Sequence, residues 1–281
     1  MTTKQKWRKI LYENQGYPDN FTDKTFLQDL RKNINYQEVS FTDAVLGASK
    51  IVQELCTVII FVLIFFYFYN EWMNPNVVLM FSSIMSITMY ILYISKCSFW
   101  HIMQDVRTVF IFYGFGRFFS PVLYTLTDTI STNTIYTTTF IMMSIHLIFF
   151  DYGVPSAVVS NSLSLSAALF GSICLASRLS SANHALILII IAIKIFLLFP
   201  LLRKKFGSCV ILSLVLVLPT LCVLISLSKL ITIVFLLALA LIMVVFPMVF
   251  IKCQKFKNNI YGPWDEAVVN SADNICDLIN F

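Results

Sequence analysis

The stretch ALILIIIAIKIFLLFPL, residues 185–201, is apolar throughout except for Lys194. Its length falls within the range of about 17–25 residues that a helix needs to cross the hydrocarbon of a membrane. The whole sequence has the same character, since 58% of its 281 residues are apolar and only 12% are charged, whereas soluble domains carry about 25% charged residues. The sequence therefore predicts an all-α protein, a bundle of transmembrane helices.

Eight apolar segments of about this length are predicted to span the membrane. They are 51–69, 77–94, 109–125, 135–150, 158–175, 185–201, 209–227 and 231–251. The third segment contains two glycines, an arginine and a proline between Gly114 and Pro121. This composition is compatible with a broken or re-entrant helix, which leaves seven spans as the alternative.

The basic residues set the predicted orientation, because Lys and Arg concentrate in cytosolic loops. With the amino terminus in the cytosol, 16 of the 20 Lys and Arg residues fall in cytosolic segments, and eight of them precede residue 51. An even number of spans then places both tails in the cytosol. We expect a cytosolic region 1–50, a transmembrane domain 51–251 and a cytosolic tail 252–281.

No catalytic residue, metal site or cofactor is predicted. The seven cysteines are scattered, and no two have the CxxC spacing of a metal or redox site. The three histidines form no HExxH pattern. A polytopic glycosyltransferase would display acidic residues for metal binding or base catalysis, but the predicted cytosolic loops hold only Asp105 and Asp151, in separate loops.

Charged residues inside spans need a structural reason, because each costs about 2.5–3.5 kcal/mol at a helix centre. Lys194 is expected to extend toward the nearby cytosolic end of its helix. For Arg117 we expect a partner, either an acid of another helix or exposed backbone carbonyls. His146, which precedes Asp151 by five residues, is expected to be hydrogen-bonded between helices. We assign Arg117, His146 and Asp151 structural, interhelical roles.

A basic run, Arg203-Lys204-Lys205, directly follows the sixth predicted span. Such a cluster attracts anionic lipid head groups, at about 1 kcal/mol per charge. The alternative is a plain topology signal with no ligand. If a phosphatidylinositol substrate is presented at this surface, these three residues are the first candidates for contact with its phosphate.

Both tails have patterns typical of amphipathic helices. In the amino-terminal tail, apolar residues including Trp7 recur at helical spacing and are interrupted by a turn signal at Pro18. In the carboxy-terminal tail, Pro263-Trp264-Asp265-Glu266 has the composition of a helix start. We predict that Trp7, Trp264, Asp265 and Glu266 dock on a partner or on one another. A loosely ordered amino-terminal tail is the alternative there.

Several short motifs occur in a fixed order along nearly the whole chain. They are WxKxLYE (7–13), PDN (18–20), FLxxLRKN (26–33), FSPVLxTLT (119–127), STNTIY (131–136), HLIFFDYG (146–153), LASRL (175–179) and NIYGPWDEA (259–267). In this order they resemble the C-subunit (PIG-C) family of phosphatidylinositol N-acetylglucosaminyltransferase.

The resemblance implies a component of an endoplasmic reticulum membrane complex. That complex transfers N-acetylglucosamine from UDP-N-acetylglucosamine to phosphatidylinositol on the cytosolic face, the first step of glycosylphosphatidylinositol (GPI) anchor synthesis. In the family, the sugar-transferring site lies on the A subunit, and the further partners are the H, P, Q and Y subunits. The implied role is that of a non-catalytic scaffold and lipid-side platform, which contacts phosphatidylinositol and membrane lipid but no nucleic acid.

Two other functions compete with this one. A small secondary transporter would have internal repeats and an ion or substrate site at the midplane, but no convincing repeat is found. A lipid enzyme that works alone would need a cluster of acids or histidines, which the sequence does not display.

Overall fold

The computed structural model of this chain is helical over most of the residues that it describes. These residues are 16–18, 21, 31–32, 38–93, 99–125, 129–153, 159–206, 210–257 and 260–261. In order, the helices are α1 (Phe41–Tyr69), α2 (Pro75–Tyr93), α3 (Phe99–Thr125), α4 (Thr132–Phe149), α5 (Asn161–Ala176), α6 (Ala182–Ile193), α7 (Phe199–Phe206), α8 (Val210–Leu227), α9 (Lys229–Ala240) and α10 (Phe246–Gln254). Two π-helical turns, Lys194–Leu198 and Leu241–Val245, join α6 to α7 and α9 to α10.

Within the described part of the chain, three helical rods are long and apolar enough to cross a membrane. They are Phe41–Tyr69, Ala182–Lys204 and Lys229–Gln254. Shorter apolar helices cover Pro75–Ile91, Asn161–Ala176 and Leu212–Leu227. Each of the eight predicted spans overlaps one helical rod. The prediction of a helical protein with membrane-crossing helices is therefore confirmed in this coarser form.

The third predicted span is not interrupted. Helix α3 is continuous from Phe99 to Thr125, and Pro121 lies inside it. The glycines of this segment suggested a break, but Gly116 lies against α6, where a Cβ atom would come 2.9 Å from Leu186 Cδ1. Glycine at this position allows the two helices to approach closely. Gly116 is therefore a packing residue and not a helix breaker.

Both π-helical turns precede a Phe-Pro pair. The N–H of Phe199 bonds to the carbonyl of Lys194, and the N–H of Phe246 bonds to the carbonyl of Leu241. A proline ring clashes with the carbonyl four residues earlier in a regular helix. The wider turn before each proline relieves this clash, so both rods continue toward their carboxyl ends.

Serine side chains begin several of the described helices. Ser40, Ser131, Ser160 and Ser181 each accept a hydrogen bond from the backbone N–H three residues later. Each bond satisfies an N–H that has no partner within its helix. Ser40 also donates to Asp43 Oδ2 at 2.7 Å, so α1 begins at Phe41, before the predicted boundary between residues 50 and 51.

Helix α1 belongs to two apolar clusters. The larger cluster joins α1 to α4, α5 and α6 and includes Phe61 and Leu188, both fully buried. The smaller cluster joins α1 to α8 and α9 and includes Val52 and Phe235. Because α1 contributes to both, it is the central helix of the packing.

Contacts divide the chain into two units, Ser40–Phe250 and Met1–Val39 with Ile251–Phe281. The second unit contains a short antiparallel pair of strands, β1 (Arg31–Lys32) and β2 (Ile260–Tyr261), in which Arg31 lies opposite Tyr261. The predicted terminal amphipathic helices, including the docking residues Trp7, Trp264, Asp265 and Glu266, lie outside the described residues.

Candidate functional site

The first half of α1 places polar side chains inside the bundle. Gln53 and Glu54 are both 0% exposed, although they lie within an otherwise apolar helix. A buried carboxylate needs a cationic or hydrogen-bonding partner, since an unpaired charge in an apolar interior costs several kcal/mol. The partners of Glu54 come from two other helices.

Glu54 accepts bonds from both an arginine and a histidine. Arg203 Nη2, from α7, lies 2.7 Å from Glu54 Oε2. His146 Nε2, from α4, lies 3.0 Å from Glu54 Oε1. One carboxylate therefore connects α1, α4 and α7. Removing one partner of such a buried pair typically costs about 3–5 kcal/mol.

The other ring nitrogen of His146 faces α5. His146 Nδ1 lies 3.0 Å from the Ser164 carbonyl oxygen and 2.8 Å from Ser164 Oγ. Through its two ring nitrogens, His146 therefore connects Glu54 of α1 to Ser164 of α5.

Arg203 lies close to two aromatic rings, and one of its nitrogen atoms has no hydrogen-bond partner among the described residues. Its Cζ lies 5.0 Å from the centroid of the Phe150 ring and 5.9 Å from that of Phe199. The residue is only 9% exposed, and its Nη1 has no hydrogen-bond partner among the described residues. A buried donor without an acceptor typically costs about 1–3 kcal/mol.

Further polar contacts surround this cluster. Gln53 Nε2 donates to Ser213 Oγ of α8 at 2.8 Å. Lys50 Nζ donates to the carbonyl of Tyr152 at 2.9 Å, in the segment that follows α4. Burial, and next the Glu54 carboxylate, raise the pKa of the Tyr152 phenol above its ordinary value. We call Glu54, His146, Arg203 and Ser164, with these neighbours, the polar end of the bundle.

A second ion pair lies at the surface of the polar end. Lys204 Nζ donates to Asp151 Oδ2 at 2.7 Å, and the two side chains are 54% and 22% exposed. The hydrogen bond from Lys204, and next the one from the Gly153 N–H, hold the pKa of the Asp151 carboxyl below its ordinary value. The structure thus places Arg203 on Glu54 and Lys204 on Asp151. Lys205 lies in α7, but its side chain is outside the described set.

The in-span cations have polar partners from neighbouring helices. Lys194 Nζ lies 2.8 Å from Ser83 Oγ and 3.1 Å from Ser82 Oγ, both on α2. It bonds across the bundle, in contrast to the expectation that it extends along its own helix. Arg117 Nη1 donates to Asn183 Oδ1 at 2.9 Å, so its observed partner is an amide.

Asp105 and Asp151, the acids expected in cytosolic loops, have separate partners. Asp105 lies within α3, where its Oδ2 accepts from the Tyr90 hydroxyl at 2.5 Å. Asp151 pairs with Lys204. Among the described residues, no three His, Cys, Asp or Glu side chains are grouped closely enough to hold a metal ion.

An apolar groove lies along the other halves of α1 and α4. Its volume is about 410 Å³, and it is lined by Val58, Val62, Phe65, Phe66, Tyr69, Tyr136, Thr139, Phe140, Met143 and Leu175. We call this region the apolar end. Its walls are almost entirely hydrocarbon and aromatic, in contrast to the charged cluster at the polar end.

Sequence reasoning missed Glu54, the acid that organises the polar end. Glu54 lies in the first predicted span. From the sequence, however, only Lys194 and Arg117 were considered as charged residues within spans. The signal was present, because Gln53-Glu54 interrupts an apolar run and an intramembrane acid requires a partner. The identity of that partner was hidden, because Glu54 and Arg203 are separated by 149 positions.

Comparison with known proteins gives a consistent result. The family model described as "GPI2: Phosphatidylinositol N-acetylglucosaminyltransferase" matches residues 7–265. The chain is 40% identical to the C subunit of the Homo sapiens phosphatidylinositol N-acetylglucosaminyltransferase, over 95% of this chain and 94% of the relative.

More distant relatives carry related names. The putative C subunit of the Dictyostelium discoideum transferase is 37% identical, over 95% of this chain and 80% of the relative. The GPI2 subunit of the Schizosaccharomyces pombe transferase is 31% identical, over 94% of this chain and 87% of the relative. No solved structure matches the chain.

Proposed function

The chain belongs to the phosphatidylinositol N-acetylglucosaminyltransferase family described as GPI2, and we propose from this that it is a membrane subunit of the complex that transfers N-acetylglucosamine from UDP-N-acetylglucosamine to phosphatidylinositol. This reaction is the first step of GPI-anchor synthesis. The observation that carries the proposal is the 40% identity to the human C subunit over 95% of the chain.

Within that complex, the protein acts as a scaffold and lipid-side platform and contributes no catalytic group. The geometry supports this role because the acids of the polar end are already hydrogen-bonded to basic side chains. Both oxygens of Glu54 have donors, on Arg203 and His146, and Asp151 is bonded to Lys204. A general base for sugar transfer must instead reach the acceptor hydroxyl.

The protein resides in the endoplasmic reticulum membrane with eight spans and both tails in the cytosol. The basic residues support this orientation. It places the polar end on the cytosolic side, because the start of α1 and the end of α7 would both lie there. The lipid substrate and the sugar donor would meet at the same side.

Partners of the protein are the catalytic A subunit and the H, P, Q and Y subunits. The tails supply the docking surfaces, with Trp7 on the amino-terminal side and Trp264, Asp265 and Glu266 on the carboxy-terminal side. An aromatic anchor beside acidic residues suits binding to a partner with an apolar pocket and a basic rim.

Affinity purification tests this function. The tagged full-length chain is purified in mild detergent, co-purifying proteins are identified, and transfer of labelled N-acetylglucosamine to phosphatidylinositol is measured before and after the partners are stripped. We expect a glycosyltransferase subunit to co-purify and activity to disappear with it. A chain that purifies alone, or that turns over without partners, would contradict the proposal.

Glycosylation mapping tests the orientation independently. An acceptor segment carrying Asn-x-Thr is inserted after Ile130, before α4, or after Gly153, which follows α4. Because only lumenal sites are glycosylated, we expect modification at the first position and none at the second. The reverse pattern would place the polar end in the lumen.

A further inference from the structure

The unpaired donor of Arg203 is the observation from which this inference starts. Nη2 of the guanidinium lies 2.7 Å from Glu54 Oε2. Nη1 has no acceptor among the described residues. More than nine-tenths of the residue is buried. Arginine forms its strongest contacts with carboxylates and phosphates, which accept from both arms of the fork.

The groups around Arg203 carry more positive than negative charge, which favours binding of an additional anion. Among the described residues, Glu54 is the carboxylate that pairs with Arg203, and Asp151 is already paired with Lys204. Lys50 lies close by and donates to a neutral carbonyl, that of Tyr152. The local cationic groups thus exceed the acids at the core of the polar end.

We propose that Nη1 of Arg203 donates to a phosphate oxygen of a lipid head group, while Nη2 remains on Glu54. Naming phosphatidylinositol as that lipid rests on the proposed function. Arg203 lies in α7, near the end of the apolar rod Ala182–Lys204, and basic residues directly beyond a span attract anionic lipid head groups. Phe199, whose ring centroid lies 5.9 Å from Arg203 Cζ, is only half-buried, and the proposed contact requires this ring to move aside.

This assignment divides the basic run into two kinds of residue. Arg203 is the specific contact, because its guanidinium is fixed by Glu54 and flanked by Phe150 and Phe199. Lys204 is a surface residue paired with Asp151, and it contributes only to the general attraction of anionic lipid. From the sequence alone, Arg203, Lys204 and Lys205 were equal candidates for contact with the lipid phosphate.

Binding to the wild-type full-length chain is the first arm of the test. Thermal unfolding in neutral detergent is followed with dioctanoyl phosphatidylinositol, dioctanoylglycerol, inorganic phosphate or UDP-N-acetylglucosamine. We expect a rise in Tm with the phosphatidylinositol and none with dioctanoylglycerol, which lacks the phosphate. Equal shifts with both lipids overturn the proposal. A shift only with UDP-N-acetylglucosamine or inorganic phosphate also overturns the lipid assignment, in favour of a soluble anion.

Two variants with opposite expectations form the second arm. Arg203→Lys keeps a cation for Glu54 but loses the second arm of the fork, so we expect about tenfold weaker binding of dioctanoyl phosphatidylinositol. Glu54→Gln keeps an amide oxygen that accepts from Nη2 and so holds the guanidinium in place, but it removes the competing negative charge, so binding should be unchanged or tighter. Lys229→Ala, at the start of α9, is the matched control and should bind like the wild type.

The outcomes separate this inference from a structural role and from the proposed function. If Arg203→Lys binds like the wild type, or if both Arg203→Lys and Glu54→Gln weaken binding equally, the proposal is overturned. If either variant fails to fold, the wild-type comparison of the two lipids still decides. Because this assay uses the chain without partners, loss of co-purification would contradict the proposed function and leave the lipid result standing.

Discussion

The two halves of α1 have different chemistry. At the polar end, Glu54 is buried among donors from other helices at defined distances. At the apolar end, Phe61 and Phe65 pack in a hydrophobic cluster, beside the groove that Phe65 also lines. Hydrophobic packing tolerates substitutions that conserve volume, whereas a buried ion pair requires a particular partner at a particular place. We infer that apolar packing holds the helices together, whereas the polar end specifies which helices meet.

Breaking the ion pair at the polar end should have the largest effect. Arg203→Ala leaves the buried Glu54 carboxylate with His146 as its one remaining ion-pair partner among the described residues, and we expect a loss of about 3–5 kcal/mol of stability. Unfolding in detergent, monitored by circular dichroism, measures this loss. Combining Arg203→Ala with Glu54→Ala should cost less than the sum of the single variants. A loss below about 0.5 kcal/mol for Arg203→Ala would show that the pair is unimportant.

Removing one methyl group from the larger apolar cluster, which contains Ile187, should have an intermediate effect. Ile187 is 2% exposed, and Ile187→Val should cost about 1 kcal/mol, since a small cavity forms in a packed cluster. Ile233→Val is the matched control, because Ile233 is 63% exposed and should lose almost nothing. Equal effects of the two substitutions in the same unfolding assay would contradict the observed burial.

The surface ion pair should have the smallest effect. Because Lys204 is 54% exposed, Lys204→Ala should change stability by less than about 0.5 kcal/mol. The pKa of Asp151 is lowered in the folded protein, so its contribution is present above the unfolded-state pKa of about 3.9 and is lost as the pH falls through the folded value. Asp151→Asn should remove this small dependence from unfolding curves measured as the pH falls through and below about 3.9. A large loss of stability near pH 7 in Lys204→Ala would contradict the expectation that this surface pair is weak.

The sequence predicted the helices better than it predicted their contacts. Long apolar runs located the rods, because hydropathy and helical length are local properties. Gly116 was misread, since a glycine that breaks a helix and one that admits Leu186 look the same in sequence. The Glu54–Arg203 pair was missed because Arg203 was interpreted as part of a loop, and long-range pairing cannot be read from one sequence. The family resemblance, by contrast, was confirmed by the comparisons.

Steady-state kinetics of the assembled complex test whether the polar end receives the lipid substrate. Transfer is measured with Arg203→Lys in complexes that retain all of their subunits, while phosphatidylinositol and UDP-N-acetylglucosamine are varied separately. We predict a KM for phosphatidylinositol raised about tenfold, with kcat and the KM for UDP-N-acetylglucosamine unchanged. An unchanged KM for phosphatidylinositol, or a change only in the KM for UDP-N-acetylglucosamine, would contradict the account.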